Sequence, residues 1–218
     1  MGNLFNPDNK FMQLGAKLFD LMLLQLATLF LCLPVFTAGA AFTAMHNVLL
    51  KIYRDEYSSV LREFWAALKA NFKQSTILWL FLLSGILFLY INFRLIAITE
   101  IAWIKPGLYL LAVPAIYLLL AAGWIFVLQS RYDNPVTKTL RNAFLMVLMR
   151  PFASIINALL LLLPIVALSL AWQVIPFLFF LGFTLPGILR AILYSRIFDS
   201  LEGTNWRKDQ AEGKIYNI

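Results

Sequence analysis

The stretch FTAGAAFTAMHNVLLKIYRDE, residues 36–56, begins with small residues, becomes apolar and ends in a burst of charge. It follows an apolar segment that starts at Leu18. One helix from Leu18 to Asp55 would be about 57 Å long, nearly twice the hydrocarbon core of a bilayer. Pro34 disfavours helix at the residue before it, and Thr37 is a residue type that caps a new helix. We therefore predict a tight helical hairpin, with residues 18–34 rising and residues 37–53 returning.

The composition places the chain in a membrane. Of its 218 residues 61% are hydrophobic and 13% charged, and the mean hydropathy is +0.79. A soluble domain of this size would be about half apolar and a quarter charged. The expected fold is therefore an all-α, polytopic membrane helix bundle. Four further apolar segments are each close to the length of a membrane crossing: residues 75–92, 106–128, 152–170 and 176–194.

The charges favour six crossings arranged as three hairpins. With six, both termini are cytoplasmic, and only Arg94 and Lys105 of the 18 basic residues lie outside, which leaves 16 inside. Five crossings, with the N-terminus outside, is the alternative. The predicted division is a cytoplasmic N-terminal segment 1–17, a bundle 18–198 and a cytoplasmic tail 199–218. The net charge of +7 then reflects topology and attraction to anionic lipids at the cytoplasmic face, with no nucleic-acid partner.

Each of the three descending helices ends in a similar motif. A basic residue and an aromatic precede an aspartate in KIYRD (51–55), SRYD (130–133) and SRIFD (195–199). Basic amphipathic helices are predicted after the first two exits, near 58–74 and 136–150. The trio Phe64, Leu68 and Phe72 recurs 80 residues later as Phe144, Leu148 and Phe152. This suggests an internal repeat, although membrane exits in general are rich in Tyr, Arg and Lys.

These amphipathic helices are the candidate docking surface. In the first, Val60, Leu61, Phe64, Trp65, Leu68 and Phe72 form an apolar stripe away from Arg62, Lys69 and Lys73. Such a helix lies in the headgroup plane, or docks on a cytoplasmic partner. The candidate partner-docking residues are Leu61, Phe64, Trp65, Leu68, Phe72, Phe144, Leu148 and Phe152.

Polar residues inside the predicted spans form a second candidate set: Asp20, His46, Asn47 and Arg190. Such residues are costly in a bilayer and often functional. Asp20 and Arg190 would pair across the bundle, or each would snorkel to the inner interface. A lone histidine such as His46 is more often packed in the bundle than part of a proton relay. Pro186-Gly187 is expected to kink the last helix.

No catalytic, cofactor-binding or metal site is predicted. The chain holds one histidine and one cysteine, Cys32, which excludes most nucleophile–base pairs and histidine metal clusters. Phosphate-binding, zinc-protease and nucleophile-elbow motifs are absent. The protein is therefore not expected to be an enzyme.

Four stretches carry a resemblance to a known family: FNPDNKFM (5–12), LPVFTAGA (33–40), YRDE (53–56) and FKQST (72–76). With these the chain resembles the YesL family of bacterial integral membrane proteins, whose function is unknown. The resemblance implies a place beside carbohydrate importers and glycan-degrading enzymes, and it supplies no catalytic or binding residues. We expect a non-catalytic, multi-pass protein of the bacterial cytoplasmic membrane, an accessory or regulatory subunit associated with ABC-type sugar import, or else a homo-oligomer. The alternative is a stand-alone small-solute transporter or channel.

Overall fold

The computed structural model describes residues 10–98, 106–170, 173 and 175–203. Some residues lie outside this range. They are residues 1–9 of the predicted N-terminal segment, residues 99–105, positions 171, 172 and 174, and residues 204–218 of the predicted tail. The described chain is helical, without strands, as predicted. Its helices are α1 (Lys10–Cys32), α2 (Ala38–Arg54), α3 (Val60–Ile98), α4 (Gly107–Arg131), α5 (Val136–Met149), α6 (Pro151–Leu170), α7 (Ile175–Leu181) and α8 (Thr184–Glu202).

Five stretches are long and apolar enough to cross a membrane, and they correspond to α1, α2, α3, α4 and α6. Helices α7 and α8 are separated by a short break, at which they are bent by 45°. If the pair counts as one span, it makes a sixth. The predicted all-α membrane helix bundle is therefore confirmed, with five or six helices among the described residues that are long and apolar enough to span a bilayer.

The opening hairpin forms around Pro34. A 3₁₀ turn, Val35–Thr37, links α1 to α2, and Pro34 takes an extended conformation that ends the first helix. The Thr37 hydroxyl donates to the carbonyls of Pro34, at 2.8 Å, and of Leu31. The expected cap was wrong in its direction: the Thr37 side chain binds the end of α1 and makes no cap bond to α2.

Two core clusters organise the bundle. The first lies among α1, α2, the N-terminal half of α3 and the α7–α8 pair, and its fully buried members include Leu24, Val48 and Phe64. The second lies among α3, α4, α5 and α8 around Trp124 and Ile125. The small face of α2, with Ala40 and Ala44, lies inside the first cluster, so those residues serve internal packing.

One predicted boundary is wrong. The amphipathic helix near 58–74 and the following span are one continuous helix, α3, about 58 Å long, because neither proline nor glycine interrupts residues 60–84. The equivalent boundary after α5 exists, since Pro151 has no N–H to continue that helix and instead starts α6. The two halves of the proposed repeat therefore differ, because the first amphipathic segment is part of a long helix and the second is a separate helix.

The predicted kink at Pro186-Gly187 is displaced. The break falls at Gly182 and Phe183, whereas Pro186 occupies the first turn of α8, where a missing N–H costs nothing. Gly187 is needed for another reason: a Cβ there would lie 2.5 Å from Leu49 Cδ1 of α2.

Candidate functional site

The three exit motifs of the descending helices come together at one end of the bundle. Arg54, at the end of α2, donates to Asp199 Oδ1 of α8 at 3.1 Å and to Ser195 Oγ at 3.4 Å. The Arg54 side chain is 5% exposed and that of Asp199 15%, so this ion pair is largely shielded from water. The first and third motifs are thereby joined directly.

The second motif joins the same group through Glu202. Arg131 donates from Nε and Nη2 to the two oxygens of Glu202, at 3.0 and 2.6 Å, in the bidentate geometry that suits a guanidinium. The Tyr132 hydroxyl also donates to Glu202. Burial and this hydrogen bond raise the pKa of Tyr132 to about 12. The Phe198 ring packs against Tyr132, with centroids 5.6 Å apart, and lies 5.3 Å from Arg131 Cζ.

These contacts define the exit cluster: Arg54, Arg131, Tyr132, Phe198, Asp199 and Glu202. The sequence marked five of these positions as parts of similar motifs without showing that they meet. Glu202 was missed because it lies one helical turn beyond the third motif.

A second polar centre surrounds Arg190, which is 4% exposed in the middle of α8. Its Nε donates to Asn157 Oδ1 of α6 at 2.7 Å, and its Nη2 donates to the Gly123 carbonyl of α4 at 3.1 Å. Tyr194 lies one turn on, and its hydroxyl also donates to the Gly123 carbonyl. Within the described residues no carboxylate lies within ion-pair distance of this guanidinium.

The expected pair of Asp20 and Arg190 is wrong, and so is snorkelling for Arg190. Asp20 lies in the middle of α1, where it accepts a 2.6 Å hydrogen bond from the Tyr57 hydroxyl in the loop after α2. Burial and this bond raise the pKa of Tyr57 to about 12. Arg190 is held between α4 and α6, so the two side chains belong to different parts of the bundle.

The other two predicted intramembrane residues pack between helices. Asn47 donates to the Ser130 carbonyl at 2.8 Å and so ties α2 to α4. His46 is buried and lines a cavity with room for about one water molecule, together with Ser130, Tyr194 and Phe198. This agrees with the packing interpretation of His46.

Gln25 is a buried polar residue that sequence reasoning missed. Its side-chain oxygen accepts from the backbone N–H groups of Phe183 and Thr184, both at 3.1 Å, and its amide nitrogen donates to the Leu178 carbonyl at 3.4 Å. It therefore satisfies backbone groups freed by the break between α7 and α8. A single glutamine in an apolar helix gave no sign of this partner.

The predicted docking faces are partly buried. Phe64 and Leu68 are 0% and 5% exposed in the first core cluster, so as members of a free surface they were wrong. They pack there because α1 and α2 fold back along this half of α3. Leu61, Trp65 and Phe72 remain exposed. On the second arm Phe144 is half-buried, its ring stacked on Tyr117 at 5.5 Å, whereas Leu148 and Phe152 are exposed.

The described residues contain no group of three or more His, Cys, Asp or Glu side chains placed to hold a metal ion. In the polar centres described above, arginine side chains instead bind carboxylate, amide and backbone groups. Their evident chemical capacity is to hold helices together, and at Arg190 to present a positive charge inside the bundle.

Residues 19–93 match the model of a family described as "Protein of unknown function, DUF624". The match covers most of α1, all of α2 and most of α3. Neither a curated protein nor a solved structure matches the chain.

Proposed function

We propose that this chain is a non-catalytic accessory or regulatory subunit of an ABC-type carbohydrate importer in the bacterial cytoplasmic membrane. It would act by packing its helices beside the importer and docking through α5. The observation that carries the proposal is the division of α5 into a fixed face and a free one.

The fixed face of α5 joins the bundle. Thr139, Ala143, Met146 and Val147 are buried, and Thr139 donates to Gln129 Oε1 of α4 at 2.9 Å. The opposite face carries four exposed apolar side chains that continue into α6: Leu145, Leu148, Met149 and Phe152. Arg141 and Arg150 flank them. A rigid amphipathic helix with such a face suits a groove on a partner protein.

The carbohydrate part of the proposal has a separate basis. It depends on the resemblance of residues 5–12, 33–40, 53–56 and 72–76 to the YesL family. The match to a family of unknown function over residues 19–93 is compatible with that resemblance.

Co-purification tests the proposal. We expect protein tagged at native level and extracted in mild detergent to bring importer permease and ATPase subunits with it in near-equal amounts by mass spectrometry. Leu148→Ser should remove them, because Leu148 is 67% exposed at the centre of the free α5 face. Leu159→Ser is the matched control, since Leu159 is 63% exposed on α6. Wild-type protein that never recovers importer subunits would contradict the proposal.

A second candidate, a stand-alone small-solute transporter, is favoured by the Arg190 centre and the α7–α8 break. Broken helices next to a polar residue are a frequent form of transporter sites. A buried guanidinium that has no carboxylate partner among the described residues would favour an anionic solute.

Flux in proteoliposomes of the purified chain tests this candidate. If it is correct, anion flux occurs without partners and Arg190→Gln abolishes it. Arg196→Gln, which changes an exposed arginine of the same helix, should leave the flux unchanged. Vesicles that stay impermeable with wild-type protein would count against the transporter.

A further inference from the structure

The turn of the first hairpin lies beside the middle of α3. Trp79 Nε1 donates to the Val35 carbonyl at 2.7 Å. Gly39 packs so closely on the same part of α3 that an added Cβ would lie 2.4 Å from Trp79 Cβ. At the other end of the hairpin Lys51 pairs with Glu63 at 2.8 Å. The whole of α2 therefore runs along residues 63–79 of α3.

The long helices continue far beyond this turn. From Trp79 to Ile98, α3 has 19 more residues, or about 28 Å of helix. The α4 helix gives the same measure. Phe126 contacts both Phe42 and Trp79, and Gly107 lies 19 residues from it. About 28 Å is almost the full thickness of the hydrocarbon core.

The extension beyond the turn is apolar and exposed within the monomer. Ile86, Phe88 and Ile98 on α3, and Tyr109 and Leu110 on α4, are all exposed. These apolar side chains would contact water unless they lay in the hydrocarbon core of the bilayer. The bilayer must therefore lie mainly beyond the turn, on the side of Ile98.

Charge marks the opposite boundary. Lys69 and Lys73 are exposed on α3, and Lys73 precedes Trp79 by six residues, or about 9 Å. Exposed lysines of a spanning helix extend to the headgroups. The turn thus lies about 9 Å inside that boundary, within the nearer leaflet. At the turn Phe30, Leu33, Val35 and Phe36 are exposed and apolar, as lipid contact requires.

We propose that α1 and α2 form a re-entrant hairpin. It enters the bilayer from the cytoplasmic side, places Phe30, Leu33, Val35 and Phe36 among the acyl chains of the cytoplasmic leaflet, and returns without crossing. The helices that extend beyond the turn are then α3 and α4. This topology keeps residues 17 and 55 on the same side, as their 2.7 Å ion pair requires. It does not depend on the importer proposal.

Cysteine labelling in intact cells tests the sidedness of the turn. Cys32 is the single cysteine of the chain, so Cys32→Ser gives a thiol-free background. In it we would introduce Val35→Cys at the turn, Ile98→Cys at the outer end of α3 and Glu56→Cys at the predicted cytoplasmic end. A membrane-impermeant maleimide added outside should label only Ile98→Cys. Labelling of Val35→Cys as fast as Ile98→Cys would overturn the proposal.

Cross-linking tests the contact on which the proposal depends. A short bis-thiol reagent applied to native membranes should link Val35→Cys to Trp79→Cys and should not link Val35→Cys to Ile98→Cys. Absence of the first link, or formation of the second, would also overturn the proposal. Phe36→Cys provides an independent turn position if Val35→Cys reduces the amount of protein in the membrane.

Discussion

At the scale of single residues, close helix approach depends on side chains that are absent. Gly39 is the clearest case, because an added Cβ would lie 2.4 Å from Trp79 Cβ and 2.6 Å from the Ser75 carbonyl oxygen. A backbone atom cannot move aside as a flexible side chain can, so α2 would have to move away from α3. Gly39 is therefore needed for the close packing of α2 on α3.

Gly39→Ala should consequently destabilise the protein by about 1–3 kcal/mol, as overpacking does. The measurement is the midpoint of thermal unfolding in one detergent, which should fall by several degrees. Gly15→Ala is the matched control, since Gly15 is also helical and has nothing within 4 Å of an added Cβ. Alanine favours helix over glycine, so the control should be neutral or slightly stabilising. Equal midpoints for the two variants would refute the packing argument.

At the scale of elements, α2 and α8 are joined by the Arg54–Asp199 pair of the exit cluster. Both side chains are largely buried, so removing the Asp199 carboxylate would break an ion pair that is shielded from water. Exposed ion pairs, by contrast, contribute little. The Arg54–Asp199 pair should therefore contribute more to the stability of the protein than an exposed ion pair does.

Asp199→Asn should reduce stability by about 2–4 kcal/mol, because it breaks a largely buried ion pair between α2 and α8. Asp55→Asn provides the control, since the Lys17–Asp55 pair has side chains 45% and 66% exposed. We expect no measurable change for that variant. The measurement is thermal unfolding of both variants in the same detergent, and an Asp199→Asn variant as stable as the Asp55→Asn control would contradict this role of the Arg54–Asp199 pair.

Elements also differ in how they end. Pro151 separates α5 from α6, whereas α3 passes through the corresponding region without a break. The trio Phe64, Leu68 and Phe72 is therefore placed differently from Phe144, Leu148 and Phe152. Phe64 and Leu68 contribute to the core, whereas α5 keeps an exposed apolar face.

At the scale of the whole molecule, the hairpins are not equivalent. The turn of α1–α2 lies about 28 Å short of the outer end of α3, so the first hairpin forms a layer with the N-terminal half of α3 on one side of the bundle. The exit cluster lies at the base of the same side and joins α2, α4 and α8. The second core cluster, around Trp124, then joins α3, α4, α5 and α8.

The fold class, the helices and the turn at Pro34 can all be read from the amino-acid sequence. They follow from the apolar content of each segment and from the backbone geometry of proline. Both effects act locally along the chain, so they can be predicted without knowledge of the packing. The sequence also marked three similar exits, because positive charge collects on one side of a membrane whatever the packing. Leu61, Trp65, Leu148 and Phe152 were recognised as surface residues by their helical spacing alone.

The contacts between residues of different helices, by contrast, follow from how the helices pack against each other. Arg190 has Asn157 and Gly123 as partners instead of Asp20, Gln25 supports a break more than 150 residues away, and Phe64 is core because α2 folds over it. Such contacts depend on how far each helix is shifted along its neighbours. Periodicity gives the face of a helix but not this shift, since sliding two helices past each other leaves both patterns unchanged.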